Sequence, residues 1–407
     1  VITAEPGAPG GAPGGARGLS ETLGLNRNTW AAAGAMFLMA LGENLWRRFI
    51  PKYLQALGAP VVAIGAYGST EDLLDGLYQY PGGWAADRFG RRAALVAFVG
   101  VALLGYVVLA AVPRWQAVFG GLVLIMAWTS MASPTLFAVI GDALPPARRA
   151  IGFSMQSILR RVPILVAPTL GGLLIAAHGI RTGVHVGLLL SIALAGVTLA
   201  VVARVRLPRP APTGGEGVRH VWRGFPPALR RLLLSDVFIR TCDALVDIFL
   251  VLYALNIVGI GAPRYGVLVA VQMATTIAVS IPASRIADRT GRKPFVIATF
   301  LAFALFPVAV VLSRSFAALA GAFAIGGLRE IGEPARKALI LDLVPSAARA
   351  RSVGLYYLIR SVAIAPAATI GGLLWRVTPT LPFALAGLVG LLGTLVFALT
   401  VEERYAG

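Results

Sequence analysis

From Trp30 to Val401 the chain is a succession of apolar runs of about 20 residues, separated by short clusters of glycine, proline and charge. A helical run of that length crosses the ~30 Å hydrocarbon core of a bilayer. Within lipid each span must satisfy its own backbone hydrogen bonds, which favours helices. Cutting the chain at its clusters predicts twelve helices, near 29–55, 60–87, 93–112, 115–143, 148–178, 181–204, 228–258, 262–287, 294–312, 315–343, 347–376 and 381–401. The longest polar interruption, "RVRLPRPAPTGGEGVRHVWRGFPPALRR", falls between the sixth and seventh. It divides the chain into expected units 29–204 and 228–401, joined by a linker 205–227. A Gly/Pro/Ala-rich stretch, 1–28, and a short end, 402–407, read as flexible tails.

Composition supports a lipid-embedded chain: 57% of residues are hydrophobic and 13% charged, against about 25% charged in soluble domains. The formal net charge of +18 would suggest nucleic acid in a soluble protein. Here the cations sit mainly between apolar runs, as in the cytoplasmic loops of membrane proteins, so no nucleic-acid partner is expected. Connections after spans 2, 4, 6, 8 and 10 hold most of them, while the opposite connections hold little beyond Arg114, Arg181, Arg264, Arg314 and Arg376. Positive loops stay inside, which places both termini and the linker in the cytoplasm of a multi-pass protein of a bacterial inner (cell) membrane. The single cysteine, Cys242, excludes an internal disulfide. The opening lacks the charged start and apolar stretch of a signal peptide.

The two units repeat. "PTLFAVIGDALPPARRA" from Pro134 aligns with "PARKALILDLVPSAARA" from Pro334, matching Asp142 to Asp342, Pro145 to Pro345 and Arg149 to Arg349. "APTLGGLL" meets "AATIGGLL" at the same offset of 200 residues. Charge, proline and glycine coincide along with the apolar positions. Two six-helix units side by side form the parallel-repeat plan of secondary transporters. The expected fold is an all-α membrane protein, twelve transmembrane helices in two pseudo-symmetric six-helix bundles.

A second recurring element follows spans 2 and 8: "GGWAADRFGRR", Gly82 to Arg92, and "ASRIADRTGRK", Ala283 to Lys293. Gly90 and Gly291 supply the freedom a tight turn needs. Asp87 and Asp288 can accept hydrogen bonds from a neighbouring helix N-terminus. Arg88, Arg91, Arg92, Arg289, Arg292 and Lys293 can pair across the loop or meet anionic headgroups. A plain topological anchor would need only the cations. Together with Gly83, these residues resemble the loop 2–3 signature of the major facilitator superfamily, with Ser284 where the second copy would carry glycine. The resemblance spans everything after the first tail. It implies a carrier that alternates access between two bundles, with this cluster as a cytoplasmic gate.

Ionisable groups near helix centres cost about 2.5–3.5 kcal/mol each on insertion scales, so each needs a partner or a wet cavity. Span 1, "LGENLWRRF", carries Glu43, Arg47 and Arg48; span 2, "STEDLLDGLYQYPGG", carries Glu71, Asp75 and Tyr78 on one face with Asp72 beside them. Span 5 holds Arg160 and Arg161. Span 7, "SDVFIRTCDALVDIF", sets Asp236, Arg240, Asp243 and Asp247 in one stripe. Span 10 adds Arg329, Glu330 and Glu333; span 11 adds Tyr356, Tyr357 and Arg360. The repeat equates Glu43 with Asp243 and Arg160 with Arg360. The resemblance implies that faces of spans 1, 2, 4, 5, 7, 8, 10 and 11 line one path, which gathers these residues round one cavity. Arg160 and Arg360 would then clamp an anionic group, or each arginine would only neutralise a carboxylate, as the near balance of acids and bases favours.

Carboxylates there can change protonation as the cavity opens to either side, with Glu43, Asp243, Asp75 and Glu333 as proton-coupling candidates. Arg47, Glu71, Arg160, Arg240, Asp247, Arg329, Glu330, Tyr356, Tyr357, Arg360 and Trp128 are expected to line the substrate site. Trp46 and Tyr78 add aromatic surface suited to an amphiphile.

In span 5, "VAPTLGGLL" is similar to the Gly-Pro-x-x-Gly-Gly stretch that marks antiporters of this superfamily, with Ala167 at its first position. Pro168 frees a carbonyl and Gly171 and Gly172 permit close packing, giving a pivot or an ordinary small-residue contact. Span 4, "MAWTSMASPTLF", has Thr129 where its repeat partner has Arg329, and so lacks the arginine expected there in drug antiporters. The sequence shows no nucleophile–His pair, phosphate-cradling loop or metal spacing, which points away from an enzyme, a cofactor or a metal site. Cys242 reads as a small buried side chain. The expected function is proton-coupled antiport by a monomer in the lipid bilayer, exporting a small polar or amphiphilic organic compound. Uptake or exchange of a small organic anion on Arg160 and Arg360 is the alternative, and a non-transporting membrane sensor the second.

Overall fold

The structure, a computed structural model, describes residues 27–132, 135–136, 149–204, 222, 225–343 and 349–401. Nearly all of the expected tails, most of the linker, and Asp142, Pro145 and Arg148 lie outside them. So do the side chains of Asp87, Arg160, Asp288 and Arg289. Among the described residues every regular element is helical. Helix α1 comprises Arg27–Asn44 and Ile50–Ala56 around a 3-10 turn, Arg47–Phe49. α2 is Val61–Phe89, α3 is Arg91–Ala111, and α4 is Trp115–Met126 running into a π-helical turn, Ala127–Met131. α5 and α6 form one stretch, Arg149–Arg204, and meet at Gly179.

The second half repeats this order. α7 comprises Pro227–Val246, a 3-10 turn Asp247–Phe249, Leu250–Leu252 and a π-helical turn Tyr253–Ile257. α8 is Ala262–Thr290, α9 is Lys293–Leu312, and α10 comprises Phe316–Leu328 and Glu333–Asp342. α11 comprises Arg349–Ile364 and Pro366–Val377, and α12 is Leu381–Thr400.

Local sequence sets the boundaries. Proline occupies the first turn of α7, α9, α12 and the second segments of α10 and α11, where its missing N–H breaks no bond. Ser315 caps α10 by accepting the N–H of Ala318 at 3.2 Å. Gly90 (φ 88°) and Gly291 (φ 111°) make the α2–α3 and α8–α9 turns in a backbone region that other residues rarely adopt. Leu104, Leu189, Leu305 and Leu395 are exposed on α3, α6, α9 and α12, while Glu43, Asp236, Arg329 and Arg336 are buried. That inversion of a soluble protein's pattern suits lipid as the surrounding solvent.

Among the described residues five helices are interrupted: α1 and α7 by their 3-10 turns, α4 by its π-helical turn, α10 by a turn over Arg329–Gly332, and α11 at Ala365. The interruptions obey the repeat. Trp46 has φ −126° and ψ −27°, and Val246 has φ −125° and ψ −26°. Each break re-aims the side chains that follow it, so backbone irregularity is spent where the helices enclose a cavity.

Glycine sets how closely the helices approach. At Gly171 the carbonyl of Leu45 occupies the space a Cβ would need, and at Gly371 the carbonyl of Leu245 does the same, locking α5 to α1 and α11 to α7. Between the bundles, Gly65 faces the carbonyl of Ala368 on the α2–α11 seam, and Gly266 faces that of Pro168 on the α8–α5 seam. The Ser69 hydroxyl accepts the N–H of Thr369 at 3.0 Å across the first seam. Lys52 donates to Asn256 Oδ1 at 2.5 Å, and Asn256 donates to Gln55 at 3.1 Å, between the ends of α1 and α7. These ties lie toward the end of the molecule opposite Gly90 and Gly291.

Two outcomes are expected from this packing. Gly171→Ala or Gly371→Ala should lower the melting temperature of the purified protein, by overpacking worth ~1–3 kcal/mol. Gly100→Ala, which has open space around it, should leave it unchanged or raise it. A Lys52→Cys, Asn256→Cys pair should crosslink readily, and adding Gly65→Leu to wedge the α2–α11 seam should reduce the yield. An undiminished yield would show that this seam does not hold the end closed.

Candidate functional site

Between the bundles lie three adjoining cavities of 330, 640 and 610 Å³. Such volumes belong to the range of small-molecule sites, ~300–1,000 Å³. They share lining residues: Arg48 and Ile164 border the first two, Arg47 and Glu71 the first and third, Arg240, Asp243 and Glu333 the second and third. Asp247, at the α7 break, lines all three. Eight carboxylates face this space: Glu43, Glu71, Asp72, Asp75, Asp243, Asp247, Glu330 and Glu333.

In the first bundle Arg47 holds two of them. Its guanidinium lies 2.6 Å from Glu43 Oε1, one turn back along α1, and also pairs with Glu71 on α2. The 3-10 turn that starts at Arg47 lets one side chain reach both helices. Thr129, on the π-helical turn of α4, offers its hydroxyl to Glu43 at 3.4 Å. Ser130 beside it donates to Asp75 Oδ1 at 2.7 Å. Asp72 lines the 610 Å³ cavity and makes no hydrogen bond or ion pair among the described residues.

The second bundle pairs Asp243 with Arg329, which stands at the α10 break over the rings of Phe306 (4.5 Å) and Phe303 (5.0 Å). Sequence separation between the two residues equals that between Glu43 and Thr129, 86 positions. Thus the carboxylate is kept by the repeat and its partner on α4 or α10 is not. Deeper, Arg336 donates to Asp236 at 2.5 Å and to Glu333 at 2.7 Å, and both Arg336 and Asp236 are 1% exposed. Arg360 reaches the same Asp236 oxygen at 3.3 Å, Tyr356 donates to it at 3.2 Å, and Arg240 pairs with Glu333 at 3.3 Å. Removing one member of such a buried pair strands the other charge, a loss of about 3–5 kcal/mol.

Among the described residues two ion pairs cross between the bundles: Arg48 with Asp247 at 3.6 Å and Arg161 with Glu330 at 3.5 Å. Both are longer than the pairs just described and more exposed.

The structure thus brings Glu43, Arg47, Glu71, Asp75, Trp128, Arg240, Asp243, Asp247, Arg329, Glu330, Glu333, Tyr357 and Arg360 onto the cavity walls. Tyr356 does not join them. It is fully buried, its hydroxyl directed to Asp236, because it and Tyr357 point to different faces of α11. Trp46 likewise is buried, donating to Ser191 at 2.9 Å. The side chain of Arg160 lies outside the described residues. Arg336 and Lys337 escaped the sequence reading: their segment, "PARK", sits near the expected end of span 10, and the repeat mate of Arg336 is the apolar Leu136. The spacing of Glu333 and Arg336, one helical turn apart, was the available signal.

At the arginine-rich end, Arg92 donates to the Ala203 carbonyl at the close of α6, and Lys293 to that of Ala398 near the close of α12, at 2.9 Å. Each cation thereby meets a carbonyl that the helix itself leaves unpaired or weakly paired. Arg292 pairs with Asp342, Arg91 is buried, and Arg88 lies over Trp84 at 5.4 Å. Gly83 has open space around it. Pro168 lies inside α5, and Gly172 meets the carbonyl of Ala262 as Gly372 meets that of Val61. In both halves the first glycine of the pair therefore packs within its bundle and the second packs between the bundles. Cys242 is buried, its thiol 3.3 Å from the Phe303 carbonyl. Among the described residues no group of three or more His, Cys, Asp or Glu is placed to hold a metal.

Comparison with known proteins agrees with this architecture. The sequence profile described as Major Facilitator Superfamily matches residues 32–265 and 232–407. An uncharacterized MFS-type transporter of Methanocaldococcus jannaschii is 20% identical over 387 residues, covering 91% of this chain and 94% of that protein. Among solved structures, a POT family transporter in complex with a thioalcohol conjugated peptide superposes with a TM-score of 0.77 at 15% identity, over 93% of this chain and 97% of that one. The nucleoside transporter NupG gives 0.78 at 11% identity, over 92% and 100%. These two likenesses show a shared fold. With the profile matched along the described bundles, the chain belongs to the Major Facilitator Superfamily and is a multi-pass membrane transporter, not an enzyme.

Proposed function

We propose that the protein is a proton-coupled antiporter that exports a small polar or amphiphilic organic compound by alternating access. One observation carries the reading: of the eight carboxylates facing the cavities, Asp72 alone has neither a cation nor a hydroxyl beside it among the described residues. Glu43, Asp243 and Glu333 each have an arginine, and Asp75 has the Ser130 hydroxyl. Two ligands can compensate Asp72: a proton, or a positively charged group on the cargo. They exclude each other, so binding one releases the other, and this mutual exclusion is the elementary requirement of exchange.

The bundles supply the moving parts. They are tied at the Lys52–Asn256 end, and the charged layer lies between that end and the arginine-rich turns at Gly90 and Gly291. The excess of cations in the connections at the Gly90 end assigns it to the cytoplasm, which makes this an inward-facing arrangement with both termini inside. Cargo enters from the cytoplasm against a deprotonated Asp72. The bundles rock, a proton from the outside takes the carboxylate, and cargo leaves. Asp75, one turn along α2 and steadied by Ser130, is the neighbouring carboxylate to which a proton on Asp72 can pass.

The test works without naming the cargo in advance. Infrared difference spectra of the purified protein between acid and alkaline pH should show a protonated-carboxyl band that Asp72→Asn removes and Glu330→Gln retains. In liposomes, compounds that stabilise the protein in a thermal-shift screen should be moved by an imposed pH gradient. Asp72→Asn should slow that movement about tenfold or more, as for a barrier raised by ~1.4 kcal/mol. Movement indifferent to the gradient, or an infrared band that survives Asp72→Asn, overturns the proposal.

A further inference from the structure

We propose, building on the carrier reading above, that the 610 Å³ cavity selects zwitterions: compounds that carry a cationic group and an anionic group on one small organic frame. Its two walls have opposite uncompensated charge. The α2 wall presents Glu71, Asp72 and Asp75. Arg47 is shared by Glu43 and Glu71, and Asp72 and Asp75 face the cavity with no cation among the described residues.

The opposite wall belongs to α7, α10 and α11 and presents Arg240, Lys337 and Arg360. With Arg336 behind them, these four cations share only two carboxylates, Asp236 and Glu333. The excess is two positive charges, opposite in sign to the uncompensated carboxylates across the cavity; Asp243 and Asp247, which also line it from α7, are paired with Arg329 and Arg48. Two carboxylates cannot saturate three guanidinium groups, each a fork of five donors. The buried Nε groups of Arg240 and Arg360 and the Oδ1 of Asp236 have no partner among the described residues, so pairing inside the cluster is incomplete. Arg240, Arg360 and Lys337 line the cavity and can take the oxygens of an incoming carboxylate, phosphonate or sulfonate.

The charge pattern rejects simpler ligands. An anion alone would compensate the arginine wall and leave Asp72 and Asp75 facing each other's charge in a low-dielectric space. A cation alone would do the reverse, and a neutral compound would do neither. A zwitterion compensates both walls at once, and its frame meets Met126, Ile248, Ile364 and Tyr357, which also line the cavity. Its cationic end takes the place of the proton on Asp72, and so joins selectivity to the exchange step.

The experiment uses the full chain, purified in detergent, and a panel of amino acids, dipeptides and the amino-sulfonate taurine. Each is paired with a form whose amine is acetylated and a form whose acid is amidated or esterified. Some zwitterions should stabilise the protein against heat, and both blocked forms of the same compound should bind about tenfold more weakly or worse. Asp72→Asn should abolish the preference for a free amine over its acetylated form while keeping the preference for a free acid. Arg360→Gln should do the converse. Retention of one preference in each variant reports that it is folded. If blocked forms stabilise as well as the zwitterions, or no zwitterion stabilises at all, the inference is wrong. Blocked compounds carried through liposomes by a pH gradient would end it too, and leave the antiport reading standing. Zwitterions that bind but never cross would end the antiport reading and leave the selectivity intact.

Discussion

A charge placed midway through a bilayer must be compensated within the protein, because neither lipid nor bulk water can do it there. That requirement organises the interior of this transporter. Glu43 and Asp243 occupy equivalent positions at the breaks of α1 and α7, and each has a guanidinium in contact, Arg47 for one and Arg329 for the other. The breaks follow from the same constraint. A continuous helix would send Arg47 along a single face, whereas the 3-10 turn lets it bridge α1 and α2. Paired in this way, both carboxylates are compensated and held in place inside an apolar body.

Duplication explains the scaffold and its later divergence explains the chemistry. Backbone angles at Trp46 and Val246, where the α1 and α7 breaks begin, agree to within about a degree, and the glycine contacts at Leu45 and Leu245 are the same contact made twice. Against that constant frame the side chains have parted. Arg47 is matched by Asp247, Thr129 by Arg329, Met36 by Asp236 and Leu136 by Arg336. The first bundle has a surplus of acids on α2, and the second has a cluster of arginines on α7, α10 and α11. The polarity of the cavity between them is a product of that divergence.

Much of this was legible in the sequence. Ionisable residues inside apolar runs have few places to go, so eight of the nine mid-span carboxylates line the cavities, as do Arg47, Arg240, Arg329 and Arg360, while Asp236 is buried behind them. Glycines with a positional reason, Gly90 and Gly291, were equally readable. Partnership was not. Whether Arg360 clamps a ligand or pairs with a carboxylate depends on Asp236, 124 positions away, and no local pattern joins the two. Tyr356 and Tyr357 are adjacent in the chain, yet one is buried behind Asp236 and the other faces the cavity. The helix breaks also left little trace, since "LGENLWRRF" contains no proline at its turn.

The burial of the ion pairs divides the interior into what moves together and what must come apart. Pairs within a bundle run from 2.5 Å for Arg336 with Asp236 to 3.5 Å for Lys337 with Glu333, and most have at least one well-buried partner. Pairs across the bundles, Arg48 with Asp247 and Arg161 with Glu330, are 3.5–3.6 Å long with partly exposed partners. Breaking a buried pair costs about 3–5 kcal/mol, whereas a hydrated one is worth about 0–1 kcal/mol. A rocking motion therefore meets least resistance along the surface between the bundles and most within them. The glycine seams at Gly65 and Gly266 lie on that same surface, packed by van der Waals contact that can be lost without stranding a charge. Two rigid halves separated by a weakly bonded, water-accessible layer follow from where the strong pairs are, and alternating access is the motion such an arrangement permits at lowest cost.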